Sequence, residues 1–420
     1  MAEHLQAIDY LFLFSITSIW IMLFTNILLT IGGYIYYFKT IKFTDVDRLD
    51  NYPMVSILVP AHNEEKVIGK TITSILNMSY PKERMELIVI NDNSSDNTKE
   101  ILENIQREYS DSNIIIINTT EENGGKGKSN ALNIGFQNSN GEFIVVYDAD
   151  NTPEKAALRI LVNTICKDDN LGAVIGKFRT RNKNRNLLTK FINIETLGFQ
   201  WMVQAGRWQL FNLCTIPGTN YIIRKALIHE IGGWDTKAIA EDTEISFRLY
   251  RKGYKIKFMP LAVTWEQEPE SINVWMKQRS RWVKGNVYVL LKNFKLLFSQ
   301  KSKHIRFDLL YFSAVYFFFL SSTLVSDIIF IIGVFTDIRL SVAGNTLLLW
   351  FMAYIIFILQ ISIALSMEKG ESNSRNVLLV AVMYFTYCQL WLVVAVKGIF
   401  QYIRDGIMGA EVKWYKTERF

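Results

Sequence analysis

Cysteine is scarce: Cys166, Cys214 and Cys388 lie far apart in 420 residues, without the spacing of metal ligands. They read as small buried residues in a reducing compartment. Internal repeats and low-complexity tracts are absent, which excludes a repeat architecture. Charge is missing altogether from residues 11–38. The short stretch before that run has no Lys or Arg, and no small-residue cleavage site follows it. That pattern excludes an ordinary cleaved leader and predicts a retained membrane span. Three more apolar stretches, near 309–335, 346–366 and 377–396, are each long enough for the ~20 helical residues that a bilayer core needs.

The stretch between is ordinary globular sequence with charges throughout. The expected plan is an N-terminal span within 1–40, a globular domain over 41–300, membrane helices over 301–404 and a short basic tail at 405–420. Lys39, Lys42 and Arg48 follow the first span, and Lys292, Lys295, Lys301, Lys303 and Arg306 precede the second. Positive residues favour the cytoplasmic side, which puts the globular domain in the cytoplasm and the chain in the plasma membrane. One conflict follows. Three further spans would leave the C-terminus outside, yet it carries Lys397, Arg404, Lys413, Lys416 and Arg419. Either one apolar segment lies in the interface or the rule fails at this end. The net charge of +6 and pI near 8.9 point to anionic lipid as a partner rather than to nucleic acid.

Within the globular part, residues 54–60, 85–90, 114–117 and 143–147 read as strands, and 64–76 and 96–108 as amphipathic helices. Alternation of this kind predicts an α/β domain with a mostly parallel sheet covered on both faces. Ligands of such sheets bind beyond the carboxyl ends of the strands. Asn63-Glu64, Asp92 and Asp148-Ala-Asp150 fall there. Residues 186–202 and 274–297 are amphipathic and aromatic, and read either as membrane-surface helices or as core helices.

Four signatures occur in order: Asp92 after Glu86-Leu-Ile-Val-Ile-Asn; Asp148-Ala-Asp150 after Glu142-Phe-Ile-Val-Val-Tyr; Glu241-Asp242 after a Gly232-Gly-Trp-Asp235 turn; and Gln278-Arg-Ser-Arg281-Trp282. The ordered set resembles the processive family 2 membrane glycosyltransferases, the cellulose, mixed-linkage β-glucan, poly-N-acetylglucosamine, chitin and hyaluronan synthases, over roughly residues 53–300. The resemblance implies a GT-A-like, Rossmann-like domain with interfacial helices and a helical membrane bundle. It implies inverting transfer from a UDP-sugar to a growing polysaccharide, exported as it grows. Asp242, with Glu241, would be the catalytic pair and Asp242 the general base. Asp150 and Asp148 would hold a divalent cation, Mg²⁺ or Mn²⁺, because hard cations take carboxylate oxygens. Glu64, Asp92, Lys128, Asp148 and Arg281 would bind the donor, while Gln278, Trp282 and Gly218 would face the acceptor and its channel.

Gly124-Gly-Lys126-Gly-Lys128 lacks the spacing of an ATPase phosphate loop. It resembles the family stretch that places Lys128 near the nucleotide, and Lys126 shares the expectation. His62 stands where many relatives have Tyr, and reads as a uracil contact or a surface loop residue. Arg279 and Lys277 read as lipid-surface charges. Trp201 and Trp208 read either as lining for the sugar path or as packing. Asp96 and Ser94 are the expected caps of the helix after Asp92. Thr215-Ile-Pro-Gly218-Thr-Asn220 departs from the Cys-Gly-Ser form of cellulose synthases, which leaves polymer and linkage open. UDP-glucose and a β-glucan are the first expectation, and a poly-β-1,6-N-acetylglucosamine or other UDP-N-acetylglucosamine-using synthase is the alternative. Accessory subunits are compatible with either, and a cyclic-dinucleotide sensor after the last span is not expected. The rivals are an enzyme that adds one sugar to a lipid carrier, against which the Gln-x-x-Arg-Trp element argues, and a transporter, for which Asp327 is the one ionisable residue that stands out within the spans.

Overall fold

The computed structural model describes residues 6–42, 49–298, 305–336 and 346–408. Arg48, Lys301, Lys303 and the basic residues after 408 lie outside the described residues. Eight strands form one sheet: β1 (Val55–Ala61), β2 (Met85–Asn91), β3 (Ile114–Asn118), β4 (Phe143–Val146), β5 (Thr152–Pro153), β6 (Leu171–Thr180), β7 (Tyr221–Arg224) and β8 (Lys255–Glu266). Their order is β3-β2-β1-β4-β7-β6-β8-β5. The four strands read from the sequence run parallel. β7 then enters antiparallel between β4 and β6, and β5 is antiparallel to β8. The sheet is therefore mixed, with four of its seven pairings parallel, in keeping with the mostly parallel expectation.

Central strands are buried on both faces and feed two cores by alternation. Val55, Ile57, Val59, Leu87 and Val89 point to one side, and Leu58, Ile88 and Ile90 to the other. Pro60 does not end β1. The pairing with β4 stops at Leu58, so Pro60 sits where one flank is open and a missing N–H is tolerated.

The helices are α1 (Ala7–Ile41), α2 (Ile68–Leu76), α3 (Thr98–Glu108), α4 (Lys128–Gln137), α5 (Ala157–Cys166), α6 (Leu187–Gly198), α7 (Ala205–Phe211), α8 (Lys225–Ile231), α9 (Glu241–Arg251), α10 (Ile272–Asn293), α11 (Arg306–Ser313), α12 (Leu320–Phe335), α13 (Thr346–Ser366), α14 (Ser374–Phe385) and α15 (Tyr387–Met408). Asp96 caps α3 as expected, its Oδ1 accepting from the Thr98 N–H at 3.0 Å; Ser94 instead accepts from the Asn63 N–H. Among the described residues, three helices are long and apolar enough to cross a membrane: Ala7–Ile41, Arg306–Gly333 and Leu348–Ser366. The fourth apolar stretch is not one straight helix. It breaks between α14 and α15 with a 42° bend. Of the three cysteines only Cys214 is buried; Cys166, at the exposed end of α5, corrects the expectation of three buried residues.

Candidate active site

The site is built where four chain segments converge past the ends of the strands. After β4 the backbone turns at Asp148, whose N–H donates to Thr219 Oγ1 at 3.0 Å. The Thr219 hydroxyl in turn donates to Asn151 Oδ1 at 2.6 Å. Asn220 holds this loop from the other end. It is left-handed (φ 49°) and fully buried, and its amide donates to the carbonyls of Lys177 and Ala262, both at 3.0 Å. Just before them Gly218 has φ +87°, and a Cβ there would stand 3.0 Å from Asp242 Oδ2. Glycine is required twice over, by the backbone and by the approach to the carboxylate.

Lys128 begins α4 and ties the segments together. Its Nζ lies 2.5 Å from Asp148 Oδ1 and 3.5 Å from Glu241 Oε1, and donates to the Gly218 carbonyl at 2.7 Å. Burial works against this charge, but Asp148 and Glu241 outweigh it and the ammonium titrates above its usual range. Glu241 and Asp242 open α9, where the helix dipole favours carboxylates. Burial first, and Glu241 second, nevertheless push Asp242 up to about 7. That is the range of a general base working near neutral pH.

The turn before α9 is pinned from two sides. Asn133 accepts the Trp234 N–H and donates to its carbonyl, both at 2.8 Å, and Arg248 donates to the Ile231 and Gly233 carbonyls. Asn133 closes the Lys-x-x-Ala-Leu-Asn stretch, so this polar residue has a defined task that the sequence alone did not assign.

α10 presents Gln278, Arg281 and Trp282 to one cavity of about 660 Å³, which Glu64, Lys128, Asp148, Asp150, Gly218, Glu241 and Asp242 also line. Of the residues expected to be catalytic or to bind donor, metal or acceptor, Asp92 alone is not on its wall. Its Oδ1 accepts from the Gly125 N–H (2.8 Å) and the Thr119 hydroxyl (3.0 Å), beneath the glycine loop. His62 Nδ1 lies 2.6 Å from the Asp92 carbonyl. Trp201 and Trp208 do not line the cavity; Trp201 is buried and its indole donates to Glu368. Arg279 is not a lipid-surface charge. It is 1% exposed, 3.1 Å from Glu195 and 3.8 Å from Glu268, and it stacks on Trp282 at 3.9 Å from the ring centroid. It points inward because two carboxylates wait there, a fact invisible in α10 alone.

Glu266 and Glu268, at the end of β8, were also missed, although the strand-end rule that selected Asp148 and Asp150 would have found them. Burial raises the Glu266 carboxyl well above its ordinary range, with Glu268, Asp150 and Asp148 adding to it. Among the described residues no three metal-ligating side chains converge on one point. The donor set is all carboxylate beside a cavity, which fits a hard cation held by one or two carboxylates together with phosphate oxygens of a ligand. The same cavity continues past Tyr316 into the space between α1 (Ile16, Trp20), α12 (Asp327), α13 (Trp350) and α15 (Trp391).

Residues 53–285 match the family described as "Glycosyltransferase like family 2". The chain is 48% identical over 412 residues to "Probable glycosyltransferase YdaM" of Bacillus subtilis, covering 98% of each. It is 33% identical over 279 residues to the "Poly-beta-1,6-N-acetyl-D-glucosamine synthase" of Staphylococcus aureus, covering 64% of this chain and 65% of that one. Among solved structures it resembles the mannosyltransferase PcManGT of Pyrobaculum calidifontis, in complex with GDP-Man and Mn²⁺, with a TM-score of 0.59 and 17% identity over 91% of this chain and 99% of that one. The GT-A-like fold expected from the sequence is the fold observed.

Proposed function

The chain belongs to the family 2 glycosyltransferases, and from that premise we propose that it is a processive, inverting synthase that extends a β-linked polysaccharide from a UDP-sugar. The observation that carries this reading is the single cavity running from the carboxylates to the tryptophans among the apolar helices. A soluble donor enters at one end, and a chain can leave between helices at the other. The globular domain lies on the cytoplasmic side, with α1, α11–α12 and α13 crossing the bilayer.

Asp242 accepts the proton of the acceptor hydroxyl as that oxygen attacks the anomeric carbon from the face opposite the diphosphate. Lys128 and Arg281 offset charge on the departing diphosphate. A bound Mg²⁺ or Mn²⁺ would add Lewis-acid neutralisation of that group, with Asp150 and Asp148 as the residues to hold it. Trp282 offers a flat apolar face to the terminal sugar, and Gly218 leaves room for it beside Asp242. Poly-β-1,6-N-acetylglucosamine, second on sequence alone, becomes the first choice, because the Staphylococcus aureus relative bears that name.

The test is UDP release by purified protein with Mg²⁺ or Mn²⁺, offered UDP-N-acetylglucosamine and UDP-glucose separately, followed by digestion of the product. Polymer from UDP-N-acetylglucosamine, cut by a β-1,6-specific N-acetylglucosaminidase, is the expected result. A glucanase-sensitive polymer from UDP-glucose returns the donor to glucose. A single sugar on a lipid carrier removes processivity, and no UDP release with any donor removes the enzyme.

A further inference from the structure

The broken pair α14–α15 is held to the globular domain at three points along its length. Just before its start, Glu371, which accepts from the Asn376 amide in the first turn of α14, pairs with Lys183 (2.5 Å) and Arg179 (3.6 Å). At the break, the Tyr387 hydroxyl donates to Glu195 Oε2 (2.5 Å) on α6 and accepts from the Trp275 indole (2.9 Å) on α10. Near its end, Asp405 pairs with Lys284 of α10 at 2.6 Å. Between these last two points α15 lies directly on α10: a Cβ on Gly398 would stand 2.7 Å from Val283 Cβ and 2.9 Å from the Ser280 carbonyl. α10 itself cannot be far from the globular domain, since Lys292 at its other end pairs with Asp235 and Glu244.

α14 and α15 would measure about 18 and 33 Å along their axes. An element tied to one soluble body at its beginning, middle and end does not carry one of those ends across ~30 Å of hydrocarbon. The opposite face of α15 is an unpartnered apolar stripe at helical spacing, Val393, Val396, Phe400, Ile403 and Ile407, exposed by 52–80%. Lys397 and Arg404 accompany it.

α14 runs beside α13, where the Tyr354 hydroxyl donates to the Ala381 carbonyl at 3.2 Å and the Tyr384 and Phe385 rings meet that of Tyr354. We infer that α14–α15 is not a fourth span but enters and leaves the lipid from the globular-domain side, with the apolar stripe of α15 in the acyl region and its C-terminal end on the same side as the active site. The partner is that leaflet, with anionic headgroups beside Lys397 and Arg404. This rests on the proposal that α1, α11–α12 and α13 cross the membrane, and it eases the charge conflict of the sequence, because Lys397 and Arg404 then lie on the cytoplasmic side.

Three full-length proteins test it, each with the native cysteines kept and labelling resolved peptide by peptide: Lys99→Cys in the globular domain, Thr336→Cys after α12, and a cysteine added after Phe420. An impermeant maleimide on intact cells is expected to label Thr336→Cys alone, and the other two only after permeabilisation. Label on the added cysteine and on Thr336→Cys in intact cells, with Lys99→Cys protected, overturns the inference. Label on Lys99→Cys in intact cells, or protection of Thr336→Cys, overturns the underlying orientation instead. In each case the inference that the pair does not cross stands or falls on whether the added cysteine shares the side of Lys99. A protease-cleavable epitope after Phe420 gives the same answer without any new cysteine: resistance to external protease is expected, and clipping with the globular domain protected overturns the inference.

Discussion

Asp242 combines two properties that a base in this reaction needs: it faces the cavity, and its proton affinity is set by burial and by Glu241 rather than by solvent. The base must be unprotonated to act, so activity is lost as pH falls through its pKa. We expect kcat/KM to rise with pH up to about 7 and to level off above it. Asp242→Asn should lose transfer by ~10²–10⁴-fold while donor binding, measured by calorimetry, persists. Normal turnover in that variant would falsify the assignment. Gly218 gives a controlled comparison. Gly218→Ala and Gly253→Ala both place a side chain at φ near +87° or +88°, a backbone cost of about 1–2 kcal/mol, but only the first brings a Cβ to 3.0 Å from Asp242 while the second meets open space. Similar stability losses are expected in thermal unfolding, with a fall in kcat confined to Gly218→Ala. Equal kcat losses would mean that strain alone, and not contact with Asp242, sets the choice of glycine.

At the scale of elements, α10 divides its charges by where they point. Arg279 sits between Glu195 and Glu268, whereas Lys277 two positions earlier is exposed. Arg279→Leu leaves two carboxylates without their partner in a buried site, a cost of about 3–5 kcal/mol. It also removes the platform on which Trp282 stacks, so the unfolding midpoint and the activity should fall together; Lys277→Ala should change neither. The same helix shows what a sequence can and cannot tell. Gln278, Arg281 and Trp282 were legible because spacing on one helix is local, and all three reach the cavity. The partners of Arg279 come from α6 and from the end of β8, and nothing in their spacing links those segments to α10. The sheet divides in the same way. β1 to β4 announced themselves as apolar runs followed by turns and pair in a regular parallel series. The insertion of β7 between β4 and β6 is a long-range choice, fixed by pairing energies that no local pattern carries, even though the Lys-Ile-Lys-Phe alternation at the start of β8 is itself a strand signal.

For the whole molecule, the decisive question is what fixes the catalytic domain against the apolar helices, because the cavity is continuous only while the two keep their register. Arg207 on α7 is fully buried and stands 2.8 Å from Asp308 at the head of α11, a close charge contact rather than a well-aligned hydrogen bond. Its other amino group donates to Gln204 Oε1 (2.7 Å) and to the Thr215 hydroxyl (2.8 Å), at the start of the loop that carries Gly218. One side chain thus joins α7, the loop that carries Gly218 and the first turn of a helix long and apolar enough to cross a membrane. Arg207→Met alone should cost about 3–5 kcal/mol, because it strands the buried Asp308 carboxylate without its guanidinium partner. Adding Asp308→Leu should recover most of that loss, since an apolar pair of similar volume avoids the desolvation of both charges. Activity should not recover with it, because Thr215 still lacks its donor and the loop beside Asp242 is free to shift. Thermal unfolding in detergent and UDP release on the two variants separate these effects. Recovery of both together would reduce Arg207 to a packing element, whereas recovery of stability alone would identify it as the residue through which the membrane helices set the geometry of the acceptor loop.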